Sequence, residues 1–255
     1  MAFVHLHVHS NFSFLDGGST VEALIDRAKE VGCDALAVTD HNGLYGAVRF
    51  YDYARKAGVK PIIGAEMAME SGHHIVLLAK NLSGYSNLCK IVTRAHLGHE
   101  KGQAAVSFDV LDRHKDDLFC LSGCRNGEVA SLLREGKPEA AEEAALRYAE
   151  IFGRSFFIEM QNHILPGTGL LNQQLYSLAQ KLKLGVVATN DVHYARKDDF
   201  RVQDILACVQ SISKLADLKG KRFAYGDPVS TSGAIYPKHL IRTSGYDPEK
   251  FFSEI

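Results

Sequence analysis

Short apolar runs recur along the chain at residues 3–9 (FVHLHVH), 35–41 (ALAVTDH), 61–69 (PIIGAEMAM), 74–80 (HIVLLAK), 118–124 (LFCLSGC), 156–162 (FFIEMQN) and 185–191 (GVVATND). Their brevity and their β-branched and aromatic content predict strands. Between them lie stretches with helical apolar spacing. The first covers residues 19–31: Ser19 reads as its N-cap, Glu22 completes a capping box, and Gly32 stops it. Gly58 ends the next helix in ARKAG, and Gly185 opens a strand after KLKL. Strand and helix in alternation predict parallel pairing. About seven repeats suit a closed β/α barrel better than an open doubly wound sheet, and no G-x-G-x-x-G follows the first strand. Residues 211–255 lose this rhythm in DLKGKRFAYGDPVSTSGAIYP and read as a loop-rich extension, leaving residues 1–210 as one domain.

Composition narrows the picture. With 255 residues and 46% hydrophobic content, the chain can bury a core of that size. Lysine and arginine (29) balance aspartate and glutamate (30), which disfavours extended gripping of a polyanion but leaves room for a local basic patch. No apolar run approaches the roughly 18 residues needed to span a bilayer, and no signal peptide is evident, so a cytoplasmic location without membrane contact is expected. Five scattered cysteines without a C-x-x-C pair predict reduced thiols; Cys33, Cys89, Cys120 and Cys208 read as small buried hydrophobes.

Candidate chemistry begins in the first strand. Alternation puts His5, His7 and His9 on one face, and neutral imidazole is the commonest metal ligand. In a barrel, functional residues gather at the carboxyl ends of strands. Ligand-type residues stand there repeatedly: His7 and His9, Thr39-Asp40-His41, Glu66, Cys124, and Asp191-x-His193. His5 sits deeper and is expected to pack or to support a ligand. Glu159, Gln161 and His163 end another strand and are expected at the rim, with His163 not a ligand. Neither a G-x-S-x-G elbow nor a P-loop is present, which disfavours serine hydrolases and nucleotide kinases. Arg125, just past Cys124, and Arg196, just past His193, are candidates to clamp a phosphate. The mixed-charge run around Arg196 and Lys197 also reads as a solvated face.

The segments HLHVHSNFSFLDG, AVTDHNGLYGAVRFYDYARKAGVKPIIGAE, HIVLLAKNLSGYSNL, LSGC and TNDVHY together resemble the PHP (polymerase and histidinol phosphatase) domain, in the version at the amino terminus of bacterial DNA polymerase III alpha subunits. The resemblance runs to about residue 210. It implies a distorted (β/α)7 barrel holding two to three divalent ions of zinc, manganese or iron. It places His7, His9, Glu66 and Asp191 on one ion, Asp16, His41 and His193 on a second, and Glu66, His74 and Cys124 on a third, with His73 the alternative to His74. The catalytic group is then a water activated at the metal and held through Glu66, Asp191 and His193, and no side-chain nucleophile is needed. Three functions follow from the resemblance and the charge balance. They are a 3′–5′ exonuclease acting on DNA ends, a phosphatase for a small phosphomonoester such as histidinol phosphate or a nucleotide, and a metal-stabilised module that docks a polymerase or replisome partner.

Overall fold

The computed structural model describes residues 3–211 together with Arg242, Asp247 and Lys250. The extension expected from residue 211 onward lies almost wholly outside the described residues, as does the side chain of Cys208. Six strands, β1 (Ala35–Val38), β2 (Lys60–Ala68), β3 (His74–Ala79), β4 (Leu118–Leu121), β5 (Phe156–Gln161) and β6 (Gly185–Thr189), lie side by side in chain order. The amino-terminal segment closes the curve. His5 bridges to Leu36 and Val8 to Val192, and the Ala37 N–H donates to the His5 carbonyl at 2.9 Å while the His9 N–H donates to the Val192 carbonyl at 2.7 Å. This segment is the seventh stave, held by scattered bridges instead of a full ladder.

The expectation of uniformly parallel pairing is corrected at β3, which runs antiparallel to both β2 and β4. Residues 69–73 between β2 and β3 are too few for a helical crossover, so the two strands form a hairpin. One consequence is functional. The amino-terminal residue of β3, His74, emerges at the barrel end where the parallel strands finish.

Side-chain alternation sorts the strands into two faces. Ala37, Val76, Leu78 and Leu121 fill the barrel interior with Leu6, Ile62, Phe157 and Val187 packed against them. Leu36 and Val38 face outward against α1 (Val21–Glu30) and α2 (Ala47–Ala57). Ile75, Leu77, Cys120, Phe156 and Ile158 face a larger outer core built with α3 (Leu82–Leu97), α4 (Phe108–His114), α5 (Glu128–Arg134), α6 (Pro138–Phe152) and α7 (Thr168–Leu182). A last helix, α8 (Phe200–Ser211), follows β6. Among the described residues no helix is long and apolar enough to cross a membrane.

Helix ends follow the expected punctuation with one correction. Gly32 and Gly58 adopt positive φ (77° and 80°) and terminate α1 and α2. The cap of α1, however, is Thr20, whose hydroxyl accepts the Ala23 N–H at 3.3 Å. Ser19 is drawn away because its hydroxyl accepts the Ala195 N–H at 2.9 Å, so no Ser19–Glu22 capping box forms.

Candidate metal centre

The bend at His7 decides which histidines converge. Leu6 packs inside the barrel and His7, its neighbour, also points inward, so strict alternation fails there. His7 and His9 are fully buried among the polar residues of the barrel mouth, whereas His5 is only half-buried and packs edge-on against Phe3 at 4.9 Å. The expected face of three histidines is therefore a face of two. His5 Nδ1 has no partner, and burial lowers the pKa of the ring.

Around His7 and His9 the structure gathers donors from every side of the barrel. His7 Nε2 lies 2.9 Å from Glu66 Oε2 and 3.3 Å from Asp191 Oδ1; His9 Nε2 is 3.3 Å from the same Asp191 oxygen. His193 Nε2 reaches that oxygen at 3.3 Å too, and its Nδ1 is 3.1 Å from Asp16 Oδ2. His41 spans two carboxylates, with Nε2 at 2.7 Å from Asp16 Oδ2 and Nδ1 at 2.7 Å from Glu66 Oε1. His74 Nε2 lies 3.2 Å from Cys124 Sγ and 3.4 Å from Glu66 Oε2. His73, the alternative, is partly buried and turned away to the Asn126 carbonyl at 3.3 Å. All nine expected ligand residues thus form one connected cluster, with Glu66 at its centre.

Local backbone explains the convergence. Asp16 returns to the mouth because the chain folds tightly at Gly17, where a Cβ would lie 1.8 Å from the Ser10 carbonyl oxygen. Cys124 follows Gly123, whose φ of 84° and close approach to the His74 carbonyl leave no room for a side chain. Asp191 itself takes a positive φ of 47°, a conformation that aspartate tolerates better than most residues.

The electrostatics are those of a cation site. Burial pushes the carboxyls of Asp16, Glu66 and Asp191 upward, but hydrogen bonds and charge from the surrounding imidazoles prevail and hold all three well below the usual carboxylate range. Burial likewise opposes charge on the rings, yet Asp16 and Glu66 hold His41 up at about 10, and Asp16 and Asp191 hold His193 up at about 9. His7 is raised in the same way, against burial, by Glu159, Asp191 and Glu66. His9 and His74 are lowered by burial, and burial also pushes the Cys124 thiol up.

Whether these residues suit a metal is tested by Asp191 Oδ1. It is buried and makes no hydrogen bond, although three imidazole nitrogens face it. Donor atoms sharing one ion with bonds of about 2.0–2.2 Å stand roughly 3 Å apart, which matches these separations. His7, His9, Glu66 and Asp191 offer four ligand atoms within 4.8 Å of one another, and His9, Asp16 and His193 offer three. The second grouping contains His9 where the sequence reading has His41. Mixed imidazole and carboxylate donors suit zinc, manganese or iron. The residues fit.

Other candidates sort differently. Arg196 is tied to Glu30 at the end of α1, and its N–H donates to Asp199 at 3.0 Å, so as placed it does not serve as the expected phosphate clamp. Arg125 lines a cleft of about 90 Å³ beside the cluster, with Cys124, Arg134, Gln161, His163 and Asn172. His163 is at the rim as expected, its ring at 2.7 Å from the Asn190 carbonyl. Asp40 stands apart from the cluster and accepts hydrogen bonds from the Ser10 N–H (2.7 Å), the Ser10 hydroxyl (2.8 Å) and the Ser13 hydroxyl (2.7 Å). The sequence reading put Glu159 at the rim, but it is buried with Oε1 at 2.8 Å from His7 Nδ1. It missed Ser13, at 3.0 Å from His9 Nδ1, and Gln203, which donates to Asp16 at 3.2 Å. The parity of β5 could have found Glu159, because it shares a face with the inward Phe157.

The PHP domain family model matches residues 5–163, more than half of the chain. The chain belongs to the PHP domain family. It is 43% identical over 231 residues to the error-prone DNA polymerase of Symbiobacterium thermophilum, covering 84% of this chain and 21% of that protein. It is 39% identical over 238 residues to the DNA polymerase III subunit alpha of Treponema pallidum, covering 88% and 20%. The chain therefore spans about a fifth of the length of these relatives. A solved two-domain protein from Bacteroides vulgatus, described as containing a predicted PHP-like metal-dependent phosphoesterase, superposes with a TM-score of 0.48 at 16% identity, covering 77% of this chain and 53% of that one. A second family model, for the periplasmic phosphonate-binding protein of an ABC transporter, matches residues 169–255. In this PHP chain the described part of that span supplies α7, β6 and α8, and with them Asp191 and His193 of the cluster.

Proposed function

We propose that the chain is a metal-dependent phosphoester hydrolase acting as a 3′–5′ exonuclease on DNA ends. The observation that carries this reading is the unsatisfied Asp191 oxygen at the meeting point of three imidazoles, inside a cluster of nine ligand-type residues at the barrel mouth. His7, His9, Glu66 and Asp191 would hold one divalent ion, Asp16, His41 and His193 a second, and Glu66, His74 and Cys124 a third. When bound, such ions supply Lewis acidity toward a phosphoryl oxygen and make water acidic enough to attack near neutral pH.

The chain's own groups complete the task. Arg125, whose guanidinium has no partner among the described residues, and Arg134, which donates to the Arg125 carbonyl at 3.1 Å, line the adjoining cleft and would bind non-bridging phosphate oxygens. Glu66, Asp191 and His193, members of the same cluster, would hold and orient the attacking water. The DNA substrate and the polymerase setting are supported by the relatives, which are DNA polymerases by name, and a cytoplasmic location accords with that setting. A second reading, a small phosphomonoester, is favoured by the cleft's volume of about 90 Å³.

The test is incubation of metal-loaded protein with end-labelled single-stranded DNA and, separately, with a panel of phosphomonoesters, with and without chelator. Stepwise release of mononucleotides from the 3′ end, abolished by chelator and by Asp191→Asn, is expected. Turnover of a phosphomonoester alone would select the second reading. If neither is cleaved and Asp191→Asn changes only the melting temperature, the chain is a metal-stabilised docking module instead.

A further inference from the structure

The hydrogen bonds behind His7 and His9 differ from the contacts in front of them. Glu159 Oε1 meets His7 Nδ1 at 2.8 Å and also accepts from the Thr189 hydroxyl and from Gln161 Nε2 at 3.0 Å. An oxygen already committed to accepting requires a proton on His7 Nδ1. Behind His9 the logic is the same but one step longer. The Ser13 hydroxyl has a single hydrogen, which goes to Asp40 Oδ1 at 2.7 Å, and its oxygen accepts the His41 N–H at 3.2 Å. Toward His9 Nδ1, 3.0 Å away, that oxygen can therefore only accept again. Asp40 is held in turn by the Ser10 backbone N–H and hydroxyl.

We propose that Glu159, and Ser13 backed by Asp40, are positioning residues that fix the proton of His7 and of His9 on Nδ1 and thereby aim both Nε2 lone pairs at one ion. The Nε2 atoms are 3.2 Å apart, and both are 3.3 Å from Asp191 Oδ1. Without a proton or a metal ion among them, two lone pairs and a carboxylate at such separations repel one another, so metal binding replaces the proton that His7 Nε2 shares with its neighbours. The anchors are also unequal. His7 leans on a carboxylate directly, which strengthens its nitrogen as a donor to metal, whereas His9 leans on a neutral hydroxyl. Glu159 is thus assigned to support and not to ligation, although it is a buried carboxylate beside a ligand.

The inference rests on the metal-binding reading, and its test separates the two. Zinc affinity is measured by competition with a chromogenic chelator for the unmodified chain, Glu159→Gln and Asp40→Asn, and imidazole ¹H–¹⁵N correlation spectra are recorded on the zinc-loaded unmodified protein. Glu159→Gln keeps the shape and removes the charge. Asp40→Asn keeps an amide oxygen toward the Ser10 N–H and the Ser13 hydroxyl but removes the charge that holds the Ser13 hydrogen away from His9, which weakens the preference for the Nδ1–H tautomer. Both variants are expected to lose about 10–100-fold in zinc affinity, Glu159→Gln the more, with circular dichroism unchanged. The spectra are expected to show Nδ1–H on both rings and metal at Nε2. Variants binding zinc within about twofold of the parent, or a ring protonated at Nε2 in the loaded protein, would overturn the assignment while leaving metal binding intact. Absence of zinc binding by the unmodified chain would remove the metal reading and the inference with it. Should either variant fail to fold, the spectra of the unmodified protein decide the question alone.

Discussion

Three carboxylates, Asp16, Glu66 and Asp191, are held ionised, and three rings, His7, His41 and His193, are raised so that they keep their protons at neutral pH. In the metal-free chain protons therefore occupy the place of the cation. Ligands must shed them to bind metal, so loading at pH 7.5 should release about three protons per chain from the rings, and one more from Cys124 if the third ion binds. Calorimetry in buffers of different ionisation enthalpy measures this; release of less than about one proton would mean that the rings are neutral or are not ligands. The same shifts fix a stability profile. A histidine raised in the folded state contributes stability that is complete below the unfolded value near 6.5 and is lost as pH rises through the folded one. Thermal melts of the metal-free chain should thus fall as pH climbs through about 9 and about 10, the values for His193 and His41, while the loaded chain stays flat there. Glu66 touches His7, His41 and His74, whereas the His41 ring pairs with the two carboxylates of Asp16 and Glu66, so Glu66→Ala should lose more bound metal than His41→Ala by elemental analysis. Equal losses would contradict the partition of ligands. At this scale the sequence was highly legible, because ligand-type side chains at strand ends have few other reasons to recur. His5 packs, as expected, but the shared face of three histidines was misread because the bend at His7 leaves no mark in a run that alternates perfectly on paper. The ion pair of Arg196 was not legible because its partner, Glu30, is remote in sequence.

At the scale of elements, the strands were readable from their apolar runs, and each one appears, the first as a stave of isolated bridges. Strand direction was not read from the same pattern. The rule that alternating strands and helices pair in parallel failed at β3, where the short link from β2 imposes a hairpin. That reversal puts His74 beside Cys124, and Gly123 keeps them together, since its φ of 84° and a hypothetical Cβ 2.5 Å from the His74 carbonyl oxygen exclude any larger residue. Gly123→Ala should therefore destabilise the chain by about 1–3 kcal/mol through backbone strain and displace the loop bearing Cys124. The expected readouts are a lower melting temperature and loss of one ion per chain, with the group around His7, His9, Glu66 and Asp191 still filled. Retention of full metal content would show that Cys124 does not depend on this contact.

For the molecule as a whole, the cluster lies at the point where the barrel closes. The amino-terminal segment carries His7 and His9, the segment after β6 carries Asp191 and His193, and these two are joined by the bridge from Val8 to Val192 and by hydrogen bonds from His9 to Val192 (2.7 Å) and from Val192 to His7 (3.0 Å). This is a seam with few backbone bonds, so an ion drawing His7, His9, Asp191 and His193 together would supply the lateral cohesion that a full ladder supplies elsewhere. Two consequences can be measured. Because the ion binds the folded chain through residues far apart in sequence, saturation at about a hundred times the dissociation constant should stabilise folding by about 2.7 kcal/mol. That gain should be unevenly distributed. Amide hydrogen exchange ought to slow most at residues 7–9 and 190–193 on adding zinc, and least along β2 and β3, whose pairing is complete without it. Protection rising uniformly over the barrel would show that the ion acts only on global unfolding, and protection confined to β3 would shift the binding point to Glu66, His74 and Cys124. Asp191→Asn is the control, since it keeps the side-chain shape but withdraws the charge facing three imidazoles, and it should abolish the seam-specific protection while leaving the exchange of β2 and β3 unchanged.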